Sequence, residues 1–131
     1  ISLGTNESFD KQSGDQYFAH LNQMIQGIKD KNPQVCVLVM TSPPSVLHRK
    51  YKNTFIEKYA ELIGENAHVK NYAVWDLLQV FGGNKAISRN AAKGYMARDK
   101  VHYSKAGYEK QGELFFEAFL QSYELFKSTK Q

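Results

Sequence analysis

Six apolar residues in a row, Val35-Cys36-Val37-Leu38-Val39-Met40, set the strongest constraint on how this chain can fold. The run has strand length and no polar alternation, which is the pattern of a strand buried on both faces of a sheet. Thr41-Ser42-Pro43-Pro44-Ser45 ends it, because two prolines cannot continue a central strand. A strand covered on both sides needs helices, and the flanking sequence supplies them. Ser13-Gly14-Asp15-Gln16 has the form of a capping box, and Tyr17, Leu21, Met24, Ile25 and Ile28 follow at helical spacing. That helix should stop near Asp30, since Pro33 disfavours helical geometry just before it. A second helix is expected from about Tyr51 to Ile63, with Phe55, Ile56, Tyr59, Leu62 and Ile63 inside and Gly64 as its stop.

Val69 to Trp75 reads as the next strand, and Asp76 as the cap of a short helical turn through Val80. Gly82-Gly83-Asn84 breaks that turn, and a polar, irregular stretch leads to Asp99. Ser104 caps a long final helix to about Phe126, whose inner side is expected to hold Tyr108, Leu114, Phe115, Ala118, Phe119 and Tyr123. Strands alternating with helices imply right-handed crossovers and a parallel sheet, hence an α/β fold. One domain is the natural count for 131 residues. The lone Cys36 cannot form an intrachain disulfide, and its apolar neighbours mark it as a core thiol. No segment is long and apolar enough to cross a membrane, and no signal peptide is visible.

The chemistry is concentrated in Asp99-Lys100-Val101-His102. An acid and an imidazole three residues apart can lie on one side of a turn, the carboxylate holding one ring nitrogen while the other faces a substrate. Alone, such a pair is weak evidence, and Asp99 could equally cap a turn while His102 sat on the surface. At the other end of the chain stands Ile1-Ser2-Leu3-Gly4-Thr5-Asn6-Glu7, a short apolar start, a glycine turn and a polar amide.

Together these two ends resemble the SGNH (GDSL-type) ester hydrolases, which carry a Gly-x-Asn-Asp block after the third strand and an Asp-x-x-His block before the last helix. Gly4, Asn6, Asp99 and His102 match, in that order, with Glu7 where the family more often has Asp. The run Gly94 to His102 looks most like members that remove O-acetyl groups from peptidoglycan and other carbohydrates. The resemblance implies a three-layer, flavodoxin-like sheet of strand order 2-1-3-4-5. It implies His102 as general base and acid, Asp99 as its orienting carboxylate, and Asn6 with Gly4 at the oxyanion hole. Gly4 would allow a tight turn with no side chain in the way.

The family's Gly-Asp-Ser nucleophile block and the glycine after its second strand have no counterpart here. The chain is therefore expected to be the C-terminal part of an esterase domain, with the N-terminal strands missing. Its expected partners are a small-molecule or carbohydrate ester and either the missing segment or a second copy. A non-catalytic carbohydrate- or protein-binding module of the same ancestry is the alternative. Ser42 follows a strand but lacks the glycine elbow of a nucleophile. No cofactor is expected, and His20, His48 and His68 lack metal-ligand spacing. The formal charge of +4 comes with lysines scattered through Lys29, Lys50, Lys70, Lys85 and Lys110, which argues against nucleic acid. The sequence leaves the compartment undetermined, an exported or periplasmic bacterial enzyme being one reading.

Overall fold

The computed structural model describes residues 1–129. In chain order its elements are α1 (Thr5–Phe9), α2 (Gly14–Lys31), β1 (Leu38–Met40), β2 (Val46–Leu47), β3 (Tyr51–Lys52), α3 (Thr54–Lys70), β4 (Ala73–Trp75), α4 (Leu77–Val80), a 3-10 turn (Asn84–Ala86), α5 (Ile87–Ala92) and α6 (Lys105–Ser128). β1 and β4 pair in parallel, with Leu38 opposite Ala73, Val39 opposite Val74 and Met40 opposite Trp75. On the other edge of β1, Ser2 bridges Met40 in parallel and the Met40 N–H donates to the Ile1 carbonyl at 2.8 Å. The order across the sheet is thus residues 1–3, β1, β4, the α/β arrangement expected.

One face of this sheet is closed. Tyr17, Leu21 and Ile25 of α2, spaced four apart, pack with Tyr59 and Ile63 of α3 against Val37, Val39 and Tyr72. The Tyr17 and Tyr59 rings stack at 4.0 Å, and their hydroxyls donate to the Leu3 and Gln12 carbonyls. Burial, with the Glu7 carboxylate second, pushes the Tyr17 hydroxyl up, so it stays a neutral donor. A second cluster joins Val46, Trp75, Leu77, Phe81, Ile87, Met96 and Tyr103, with Leu114, Phe115 and Ala118 of α6 leaning on it.

Several expectations are corrected. The second helix begins at Thr54, not Tyr51, because Tyr51 and Lys52 pair with Val46 and Leu47 in an antiparallel hairpin. It runs through Gly64 to Lys70 and ends at Asn71 in the left-handed region, φ 53°. A single helical glycine costs about 1 kcal/mol, which the burial of Ile56, Tyr59 and Ile63 outweighs. Val69 therefore lies on that helix, exposed, and the strand starts only at Ala73. The stretch before Asp99 contains a helix, α5, rather than irregular chain.

β1 is not buried on both faces. Val37 and Val39 point into the first cluster, whereas Cys36 is exposed and Leu38 is 36% exposed. Met24 and Ile28 lie off the inner row of α2, at 45% and 38%. On α6, Tyr108, Phe119 and Tyr123 are more than half exposed, because the side chains the helix leans on the second cluster are Leu114, Phe115 and Ala118.

The start of α6 is set by close approach. A Cβ on the buried Gly107 would lie 2.0 Å from the Tyr95 carbonyl oxygen, while one on Gly112 would meet nothing within 4 Å. Gly107→Ala should therefore destabilise the protein by ~1–3 kcal/mol, as overpacking does. Gly112→Ala in the same helix should stabilise it by ~0.5–1 kcal/mol through helix propensity. Urea melts of the two variants check this; equal effects would remove the tight contact at Gly107.

Candidate active site

The Asp99–His102 turn owes its shape to one carboxylate. Asp99 Oδ1 accepts the N–H of Val101 at 2.8 Å and of His102 at 3.0 Å, closing the turn around Lys100, which stands in the left-handed region at φ 54°. Asp99 Oδ2 meets His102 Nδ1 at 2.8 Å. Nδ1 is thereby engaged, and Nε2 is left as the ring nitrogen facing outward from the pair. The His102 side chain is 73% exposed and that of Asp99 32%.

The loop carrying this pair is anchored at both ends. Met96 bridges Tyr103 antiparallel, Ala97 N–H donates to the His102 carbonyl, and Ser104 N–H donates to the Tyr95 carbonyl. Tyr103 is buried, and its hydroxyl donates to the Pro44 carbonyl at 2.8 Å. This ties the loop to the segment that leaves β1. Ser104 caps α6 by accepting from the Gly107 N–H.

Gly4 and Asn6 sit beyond the short parallel bridge of residues 1–3. Gly4 has φ 122°, and a Cβ there would lie 2.6 Å from Ser42 Oγ and 3.3 Å from the Tyr59 ring. Only glycine fits that turn. Its N–H donates to Glu7 Oε2 at 2.8 Å, and Gly4 supplies the shape of the turn. Glu7 does what its position asks: the longer side chain reaches back to the start of α1. Ser42 is buried, and its hydroxyl donates to the Leu3 carbonyl at 3.0 Å. Held in that way, it is not poised as a nucleophile.

Asn6 is exposed, and among the described residues its side-chain amide has no partner. With Asp99 and His102 it lines a cavity of about 360 Å³, whose other walls are Thr5, Phe9, His48, Arg49 and Val101. Three of the four residues singled out in the sequence thus share one cavity, and Gly4 lies in the adjoining hollow with Ser42. The sequence reading missed the tip of the β2–β3 hairpin, where His48 and Arg49 both take positive φ, 50° and 61°, and His48 meets the edge of Phe9. Leu47-His48-Arg49-Lys50 contains no glycine or Asn-Gly pair, so no turn signal marks it. Among the described residues, no group of three or more His, Cys, Asp or Glu converges as a metal site would.

The His102 ring, followed by the two backbone N–H groups, holds the Asp99 carboxyl down to about 2. Since the folded value lies below the unfolded one of ~3.9, the charge supports the turn fully above about pH 4 and is lost as pH falls toward 2. NMR titration of the Asp99 carboxyl should give a midpoint near 2, and Asp99→Asn should remove the matching part of the acid-stability slope. A midpoint near 4 would mean that the carboxylate does not hold the turn.

The comparisons extend this picture. The GDSL-like lipase/acylhydrolase family matches residues 1–110. Among solved structures, a peptidoglycan O-acetylesterase superposes with a TM-score of 0.80 at 21% identity, over 92% of this chain and 36% of that one. A lipase/acylhydrolase from Enterococcus faecalis superposes at 0.65 with 23% identity, over 90% of this chain and 58% of its own. The chain thus spans less than two thirds of either, and at these identities the likeness is one of fold. No curated protein matches. With the family match covering most of its length, the chain belongs to the GDSL-like lipase/acylhydrolase family.

Proposed function

We propose that this chain supplies the acid–base half of a serine ester hydrolase acting on carbohydrate esters. The observation that carries it is the 2.8 Å pair of Asp99 and His102, on one cavity with the unpartnered Asn6 amide. His102 Nε2 takes the proton of an attacking serine hydroxyl and returns it to the leaving alcohol. Asp99 fixes the ring tautomer and stabilises the imidazolium. Asn6 donates an N–H to the developing oxyanion. The serine comes from a Gly-Asp-Ser segment outside this sequence, whose strand would add beside residues 1–3. That edge is open, since Ser2 makes only the bridge to Met40 among the described residues. The likeness to a peptidoglycan O-acetylesterase supports an O-acetylated sugar as the substrate.

In the complete enzyme, His102→Ala and Asp99→Asn should each cut turnover by about 10⁴. Asn6→Ala should cost a smaller factor, ~10²–10³. Steady-state kinetics with unchanged melting curves read these; near-normal turnover in His102→Ala would remove the base. The 131-residue chain alone should not hydrolyse p-nitrophenyl acetate above background, having no acyl-enzyme route. Stoichiometric fluorophosphonate labelling of any of its serines would contradict this.

We also propose that the isolated chain self-associates or takes the nucleophile-bearing segment in trans. The support is an open strand edge and an apolar groove that includes Leu38, Phe115 and Phe119. Sedimentation at several concentrations checks it, and a monomer with a cooperative melt and no bound segment would refute it.

A further inference from the structure

The positive charge is not spread evenly. Residues 85–110 hold seven Lys and Arg against two carboxylates, Asp99 and Glu109, an excess larger than the +4 of the whole chain. One of those two carboxylates, Asp99, is committed to His102 and the turn. The fold draws some of this charge around a single hollow of about 210 Å³ between α5 and α6, bordered by Arg89, Lys93 and Lys110, with Tyr95 beside them and Phe81 and Leu114 as apolar walls. It shares no lining residue with the cavity of His102.

The hollow is held in shape. Buried Asn90 donates to the Phe81 carbonyl at 3.0 Å, fixing α5 against the end of α4. Gly82, at φ 86°, leaves the space that the Arg89 guanidinium uses; a Cβ there would stand 2.6 Å from it. Lys110 is paired with Glu113 at 3.0 Å. Among the described residues, Arg89 and Lys93 have no side-chain partner. Two unpaired cations and a third half-neutralised one around a concave pocket attract an oxyanion, and a guanidinium can bind a carboxylate through two parallel hydrogen bonds.

We propose that this hollow binds a carboxylate-bearing sugar unit of an acidic glycan, with Arg89 and Lys93 on the carboxylate and Tyr95 against the sugar. The anion in this assignment stands on the pocket itself, while the glycan rests on the esterase reading above. Nucleic acid fits less well, because single strands are held on successive exposed aromatic platforms, and Tyr95 is the one half-buried ring here. Tyr95 also begins the loop that ends at His102, and Ser104 N–H donates to its carbonyl. The hollow and the acid–base pair are therefore set by the two ends of one ordered loop.

The test is an NMR titration of the complete enzyme with an oligogalacturonate, a neutral malto-oligosaccharide of equal length, inorganic phosphate and a thymidine oligonucleotide. The oligogalacturonate should shift the amides of Arg89, Lys93, Tyr95 and Lys110, and should bind more weakly as salt rises. Arg89→Gln combined with Lys93→Gln should lower its affinity about tenfold or more, whereas Lys70→Gln should leave it unchanged. Equal binding of the neutral sugar, unchanged affinity in the double variant, or no shift would overturn the site. Tighter binding of phosphate or of the oligonucleotide would overturn the glycan. No turnover is read, so failure of the esterase assignment is a separate result, seen only in the kinetics of His102→Ala.

Discussion

Buried Asn53 holds together the segments on which the candidate site stands. Its side-chain amide donates to Ser8 Oγ on α1 at 2.7 Å and to Ser45 Oγ beyond β1 at 3.1 Å, while its backbone carbonyl accepts from the Asn84 side chain at 2.9 Å. It is fully buried and immediately precedes α3. Three other pieces of chain, around Ser8, Ser45 and Asn84, thus meet at one residue, in surroundings where an unmade hydrogen bond would cost about 1–3 kcal/mol. Ser8 lies two residues after Asn6, and Pro44, next to Ser45, accepts from Tyr103 beside His102. The α1 and dyad-loop sides of the cavity are therefore referenced to the same polar centre. Thr41 has a similar role nearer the sheet, donating to Asp76 and accepting from the Leu78 N–H, so that the ends of β1 and β4 move together.

The sheet is finished on one side only, and this explains which sequence signals could be trusted. Where α2 and α3 close the face, the apolar row Tyr17, Leu21, Ile25 and the residues Ile56, Tyr59 and Ile63 are buried as their periodicity implies. Where α6 lies, the same kind of stripe ends in water: Phe119 is 60% exposed and Leu38 faces a groove beside Phe115 and Phe119. Periodicity records which side chains are apolar, not whether anything covers them. The unbroken run at 35–40 implies double burial for the same reason, and exposed Cys36 shows the difference.

The site was legible to the degree that its chemistry is local. Asp99 and His102 are three residues apart, and a carboxylate can reach an imidazole across that gap within a single turn, so spacing alone points to the pair. Bringing Asn6 to the same cavity requires the parallel topology, which the strand–helix alternation implies. The contact between the Gly4 N–H and Glu7 was not legible, since it depends on whether the Glu7 side chain folds back onto the start of α1. Nor was the β2–β3 hairpin: it has two-residue strands and a tip without glycine, and tertiary contact with Phe9 and Lys100 holds what propensity would not. The basic hollow escaped for a related reason. Arg89, Lys93 and Lys110 look scattered along the chain and converge only once α5 packs beside α6.

Asp99 carries two tasks that a longer acid would separate. One oxygen closes the backbone turn through two N–H groups, and the other holds the ring, so the orientation of His102 is set by the same atoms that set the loop. With one more methylene, a glutamate would push its carboxylate past the N–H groups of Val101 and His102, and local capping of this kind is a habit of short acids. The carboxyl's low value of about 2 belongs to the same geometry. The turn that shapes the loop is therefore also what fixes the orientation of the ring.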